Sequence, residues 1–144
     1  MSKFGFKVRK VDSSAELCKL SNLIVTTTSA NESLIRKSDV IPGTHITAVG
    51  SDTPQKRELD PEILGMAHSL VVDSIPQCLE RGETKYALDL GLVKEENLIE
   101  LGKVIDNGEK IRSDQNDISV ADLTGVAVQD IMITNTVYNN LNNK

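Results

Sequence analysis

An α/β fold around a parallel sheet is expected from three features of this 144-residue chain. Short apolar runs rich in β-branched residues recur at 23–29 (LIVTTTS), 44–50 (THITAVG) and 69–74 (SLVVDS). Runs of this kind suit strands buried on both faces. Segments with helix signals lie between them, and such alternation is the pattern of parallel strands joined by crossover helices. The composition, 39% hydrophobic and 26% charged, is that of a globular chain, and the length suits a single domain over residues 1–144.

The first element expected is a strand at 5–11 (GFKVRKV), where Phe6, Val8 and the stem of Lys10 alternate with Lys7, Arg9 and Val11. A helix follows, with Asp12 or Ser13 as its cap, Glu16 placed as in a capping box, and Ala15, Leu17, Cys18 and Leu20 as its apolar side. The run at 23–29 is the next strand. Residues 31–43 read as a short helix or turn closed by Pro42 and Gly43. After the strand at 44–50, Asp60 and Pro61 begin a helix carrying Ile63, Leu64 and Met66. The strand at 69–74 leads to a broken helix at 75–92. Leu98, Leu101, Val104 and Ile105 then stand at helical spacing, so 94–108 reads as one helix ending at Gly108. A brief strand at 117–122 precedes a last segment with Val126, Val128, Ile131, Ile133 and Val137.

Composition also narrows the function. A net charge of −5 without a basic block argues against nucleic acid, whose binding needs a cationic face to displace counterions. No run approaches a membrane span. Cys18 and Cys78 stand in no CxxC and His45 and His68 are far apart, so no metal site is expected. Two isolated thiols and no secretory-type apolar segment at the N-terminus suit a reducing, cytoplasmic setting. His45 reads as a hydrogen-bonded core histidine, and His68 as a favourable contact at a helix C-terminus.

Three strand ends share small, hydroxylated or glycine residues: Thr26, Thr27 and Thr28; Ala48, Val49 and Gly50; and the 121–125 turn, ADLTG. Ligands of open parallel sheets sit beyond the carboxyl ends of the strands, and small residues allow close backbone approach. Asp52 and Lys56 stand beside the second end. Taken alone, an Asp–Lys pair at spacing four reads first as a solvated ion pair, and hydroxyls at strand ends read equally as helix caps. In a ligand crevice the same pair offers an acid/base group and a cation.

Three separated motifs carry a resemblance: THITAVGSDTPQKRELDPEIL at 44–64, VVDSIPQCLERGE at 71–83 and DLTGVAVQDI at 122–131. Together they resemble the ornithine cyclodeaminase, mu-crystallin and archaeal-type alanine dehydrogenase family, with similarity from about residue 7 to residue 133. The resemblance implies a Rossmann-like domain that binds NAD(P). It implies a catalytic role for Asp52 beside the nicotinamide and a cofactor contact for Lys56. Thr26, Thr27, Thr28, Ala48, Val49 and Gly50 would line the dinucleotide. Leu123 would stand at the nicotinamide, where the family usually has a small hydroxyl residue, and Thr124 and Gly125 would meet the substrate.

The sequence also departs from the family. It contains no G-x-G, so the glycine-rich turn that cradles the pyrophosphate is absent. By the resemblance, Met1 falls where the third strand of the family's Rossmann domain is about to begin. The expected fold is therefore a partial Rossmann-like parallel sheet with flanking helices, lacking the first two strands and the GxGxxG/A turn. Without those strands, 5–11 is expected either to close onto 23–29 or to leave an edge that pairs in a homodimer. Three functional readings stay open, one of them a purely structural product that retains the motifs by inheritance and whose crevice binds nothing. The chain is a truncated homologue without a complete catalytic cycle of its own, serving as a small-molecule-binding or assembly module. Alternatively it is a fragment or split part of an NAD-dependent ornithine cyclodeaminase or amino-acid dehydrogenase, completed by a missing N-terminal half.

Overall fold

Five parallel strands form one sheet, in the order β1-β2-β5-β3-β4. They are β1 Leu23–Thr26, β2 His45–Ala48, β3 Ser69–Val72, β4 Leu98–Glu100 and β5 Ser119–Asp122. The computed structural model describes residues 5, 7–108 and 110–142. The last strand of the chain is the central one. Val120 of β5 pairs with Ile46 on one side and Leu70 on the other, and is fully buried. A strand flanked on both edges must satisfy its ladder on both sides, which suits the β-branched, uncharged start of SVAD.

Among the described residues six α-helices accompany the strands: α1 Ser14–Leu20 before β1, α2 Pro61–Met66, α3 Ile75–Cys78, α4 Glu83–Asp89 and α5 Leu101–Asn107 between strands, and α6 Ala127–Asn142 after β5. Their starts follow the expected chemistry. Ser13 caps α1 by accepting from the Glu16 amide at 3.1 Å, while the Glu16 carboxylate reaches the Asp12 amide. Asp60 caps α2 by accepting from the Glu62 amide, with Pro61 at the first position. The helix expected to be broken does break at Gly82, whose φ of +87° lies where only glycine is unstrained.

One face of the sheet holds the core. Ile24, Ile46, Ala48, Val120, Leu70 and Val72 pack in one cluster with Leu59, with Ile63 and Leu64 of α2 and with Ala87 of α4. The opposite face is open at the β1 edge, where Leu23 is 65% and Val25 59% exposed. Every residue of α6 is exposed, because its apolar side chains are spread around the helix rather than gathered in one stripe.

Several expectations are corrected. Lys7 to Val11 join no strand, and Phe6 lies outside the described residues. Val8 is exposed and Arg9 turns to Glu16 of α1 at 2.9 Å, so the weak alternation finds no buried face to fill. The segment therefore does not close onto β1. The expected burial of 23–29 on both faces fails for the same reason: β1 is an edge strand of four residues with one face covered. The single helix at 94–108 is instead a 3-10 turn, the strand β4 and the short α5. Leu98 is drawn into the sheet by its pairing with Leu70, a tertiary contact that overrides local helical spacing. His68 precedes β3 and accepts the Ile118 amide on Nδ1 at 3.1 Å, rather than serving a helix end. His45 is hydrogen-bonded as expected, to Ser119 Oγ at 2.8 Å and Thr47 Oγ1 at 3.1 Å.

Candidate functional site

The three strand ends singled out in the sequence meet at the carboxyl edge of the sheet. The Val49 amide donates to Thr26 O at 2.9 Å, and the Leu123 amide donates to Ala48 O at 2.9 Å. These two bonds extend the β1–β2 and β2–β5 ladders by one step, so Thr26, Ala48, Val49 and Leu123 stand in one row.

Buried carboxylates hold this row in place. Glu58, fully buried, accepts four hydrogen bonds: from Thr26 Oγ1 at 2.7 Å, the Thr28 amide at 2.5 Å, Thr28 Oγ1 at 2.8 Å and the Gly50 amide at 2.9 Å. One side chain thus ties the end of β1 to the end of β2. Glu83 secures Glu58 in turn, by accepting the Glu58 and Leu59 amides at 2.6 and 3.1 Å. Burial pushes the Glu83 carboxyl up to about 7, with the two amide bonds opposing and the neighbouring Asp122 and Glu58 reinforcing the rise. Asp122, at the end of β5, accepts the Thr84 amide at the start of α4 at 2.7 Å. It too is pushed up by burial, to about 6.

Gly82 allows this close approach. A Cβ there would lie 2.6 Å from Thr124 Cγ2 and 2.7 Å from Asp122 Oδ2. Beyond β3, Asp73 grips the next turn, accepting the Gly125 amide at 2.7 Å and Thr124 Oγ1 at 3.2 Å. Gln77 Nε2 of α3 donates to Thr124 Oγ1 and Gly125 O, at 2.6 and 2.7 Å. The Cys78 thiol beside this turn is pushed up to about 12 by burial and by Asp122 and Asp73, so it is inert as a nucleophile.

Asp52 and Lys56 occupy the loop above this edge. Lys56 Nζ donates to Asp52 Oδ1 at 2.7 Å, and this bond is the main cause that holds the Asp52 carboxyl below its usual range. The Asp52 side chain is 52% exposed, so it faces solvent as a carboxylate. The loop is anchored by Ser51 Oγ, which donates to Lys56 O at 2.6 Å, and by the Tyr86 hydroxyl, which donates to Pro54 O at 2.8 Å. Arg57 lies over the Tyr86 ring, 5.1 Å from its centroid.

The sequence-predicted residues therefore come together, but their side chains divide. The hydroxyls of Thr26 and Thr28 turn inward to Glu58, while Thr27 is exposed. Ala48 is buried, Val49 exposed, and Gly50 fills with its neighbours the space a side chain would need. Leu123 is half-buried, Thr124 is buried and Gly125 exposed. Glu58, Glu83, Asp73 and Gln77 escaped the sequence reading as builders of the site. Glu58 and Glu83 sit in charged stretches, KRELD and ERGE, where a glutamate ordinarily signals a solvated surface.

Apart from this edge, a cavity of about 330 Å³ lies at the amino end of β1, lined by Arg9, Val11, Leu17, Leu20 and Ser21. Among the described residues no group of three His, Cys, Asp or Glu could hold a metal ion, and no helix is long and apolar enough to cross a membrane.

Comparison with known families decides the lineage. The model of the ornithine cyclodeaminase/mu-crystallin family matches residues 1–144. The chain belongs to the ornithine cyclodeaminase/mu-crystallin family. It is similar to the alanine dehydrogenase of Archaeoglobus fulgidus, with 36% identity over 88% of this chain and 39% of that protein. Among solved structures of this family's fold, an archaeal alanine dehydrogenase dimer with bound NAD superposes with a TM-score of 0.76 at 37% identity, over 83% of this chain and 37% of the other. The Δ1-pyrroline-2-carboxylate reductase of Thermococcus litoralis, in complex with NADH and L-proline, superposes with a TM-score of 0.80 at 26% identity, over 90% of this chain and 40% of the other. The chain spans about 40% of the length of the curated family members it matches. The sheet described above is thus the Rossmann-like fold of these dehydrogenases and cyclodeaminases.

Proposed function

We propose that this chain forms the nicotinamide-facing part of an NAD(P)-binding site, and that by itself it binds a small molecule without completing a catalytic cycle. The observation that carries the reading is the meeting of the ends of β1, β2 and β5 beside the Asp52–Lys56 pair. The NAD and NADH held by the archaeal alanine dehydrogenase and the pyrroline-carboxylate reductase support the choice of ligand.

The residues present fit the two ends of a dinucleotide unequally. At the nicotinamide end, Leu123 offers an apolar wall, Lys56 a cation, and Thr27, Gly50 and Gly125 accessible backbone. At the phosphate end nothing corresponds to a glycine-rich turn, and the Thr26 and Thr28 hydroxyls are taken by Glu58. A bound nicotinamide would exchange hydride with a substrate carbon. Asp52, kept ionised by Lys56, would take or hold the proton that leaves the substrate. Thr124 and Gly125, locked by Asp73 and Gln77, would set the floor against which the substrate rests.

A second reading has its own support. Relatives more than twice as long and an uncovered β1 edge both favour a site completed by a further segment or partner chain, as in an NAD-dependent cyclodeaminase or amino-acid dehydrogenase. The archaeal alanine dehydrogenase is a dimer, and a homodimer is the assembly we infer for the open edge. Two free, buried cysteines suit a reducing compartment, so the cytoplasm is the location we infer.

Titration of the purified chain with NADH, followed by nicotinamide fluorescence, tests the primary reading. We expect saturable binding with Kd at or below about 1 mM, an affinity near 4 kcal/mol. Lys56→Ala should weaken it roughly tenfold through loss of a charged hydrogen-bond partner. No saturable signal up to about 1 mM contradicts the reading.

A further inference from the structure

The loop that carries Asp52 and Lys56 runs from Gly50 to Glu58 and is closed by three rungs. At its base the Gly50 amide donates to Glu58 Oε2 at 2.9 Å. Above that, Ser51 Oγ donates to Lys56 O at 2.6 Å. At the top Lys56 Nζ donates to Asp52 Oδ1 at 2.7 Å. The top rung is an ion pair open to solvent, and such a pair holds little by itself. The base rung ends on a fully buried side chain, where a hydrogen bond to a carboxylate is strongest.

Glu58 also fastens this loop to the neighbouring strand. Its Oε2 accepts Thr26 Oγ1, and its Oε1 accepts both the amide and the hydroxyl of Thr28. The Glu58 backbone is fixed from other directions. Its amide donates to Glu83 of α4, and its carbonyl accepts the Leu34 and Ile35 amides at 2.7 and 3.1 Å. A residue held so firmly along its backbone can set the place of whatever its side chain grips.

The chemistry of the grip is specific. The Gly50 amide meets one carboxyl oxygen and the Thr28 amide meets the other. Backbone N–H groups only donate, so both oxygens must accept. A carboxamide in the same place would turn its NH₂ toward one of the two amides whichever way it flipped. Gly50 makes the approach possible, since a Cβ there would lie 2.6 Å from the Glu58 carboxyl carbon.

We propose that Glu58 is the positioning residue of the Asp52–Lys56 pair: it closes the base of the 50–58 loop and ties it to the end of β1, so that the pair stands over the strand ends. The use of that placement rests on the proposed cofactor site, but the placement itself is testable without a ligand.

Amide exchange in the wild-type chain is the first test. Gly50 and Thr28 lie beyond the ends of β2 and β1, and Thr28 is exposed, so slow exchange of their amides requires the Glu58 carboxylate. Fast exchange of both overturns the proposal, whether or not any variant folds. The second test titrates the Asp52 carboxyl carbon by ¹³C NMR in wild type, Glu58→Gln, Lys56→Ala and the double variant. In Glu58→Gln, one of the two amides is expected to lose protection. The Asp52 midpoint is expected to rise toward the ordinary carboxylate range, because Lys56 is no longer held against it. In the Lys56→Ala background, Glu58→Gln is expected to add no further shift, which a general loosening of the fold would not reproduce. An unmoved Asp52 midpoint in folded Glu58→Gln overturns the proposal. Fluorescence titration with NADH separates the two claims. Folded Glu58→Gln is expected to bind roughly tenfold more weakly than wild type. A shifted Asp52 with unchanged NADH affinity keeps the role of Glu58 and removes the pair from the cofactor site. A wild type that binds no NADH refutes the cofactor reading and leaves the positioning role to the Asp52 titration.

Discussion

Raising the pH from about 4.5 to 7 is expected to weaken the fold, with Glu83 alone removing roughly 3 kcal/mol of stability. The folded-state value of Glu83, about 7, lies above its ordinary 4.5, and that of Asp122, about 6, lies above 3.8. Through this window these two carboxyls keep protons in the folded chain that they have released in the unfolded one, so their contribution to stability falls as pH rises. It is fully present below the unfolded values and lost through the folded ones. Asp52 and Asp117 act in the opposite sense under more acidic conditions, since both are held below 3.8, and His45, held below 6.5 by burial and by Arg112, opposes the fall within the window. Maximal stability is therefore expected near pH 4 to 5. Urea denaturation at about pH 4.5, 6 and 7.5 measures it, and a stability that is flat or rising across that range would show that these carboxyls are not buried as described.

Gly50→Ala is expected to destabilise the chain by about 3 kcal/mol and to disorder the end of β2. A Cβ at Gly50 would lie 2.1 Å from Thr28 O and 2.6 Å from the Glu58 carboxyl. The first neighbour is backbone and the second is fixed by four hydrogen bonds, so neither can retreat. Gly102 supplies the control. It lies inside α5 with open space at its Cβ, so Gly102→Ala is expected to stabilise by up to about 1 kcal/mol. Equal effects at the two positions would mean that the ends of β1 and β2 are not packed through Glu58.

These effects explain what the sequence could and could not reveal. The strands at 23–26, 45–48, 69–72 and 119–122 were legible because continuous β-branched runs have few other uses. The break at Gly82 and the caps at Ser13 and Asp60 were legible because they depend on local chemistry alone. β4 was not, because Leu98 and Ile99 fit a helix until Leu70 and Val71 are placed beside them. The strand at 5–11 misled for the converse reason: its alternation is real, but a strand needs a partner, and none stands beside Lys7 to Val11. At the candidate site, the nearness of Asp52 to Lys56 was legible from their spacing, and the structure pairs them at 2.7 Å. The carboxylates that organise it were hidden, because a glutamate fully buried among threonine hydroxyls and backbone amides looks, in sequence, like any surface glutamate.

The proposed function stands on where the ligand binds. The direct measurement is a map of backbone amide shifts across the ¹⁵N-labelled chain as NADH is added. Perturbations are expected to concentrate at Thr27, Gly50, Asp52, Thr124 and Gly125, where the strand ends meet. Shifts confined to the cavity of Arg9, Leu17, Leu20 and Ser21, or no shifts at all, would contradict it.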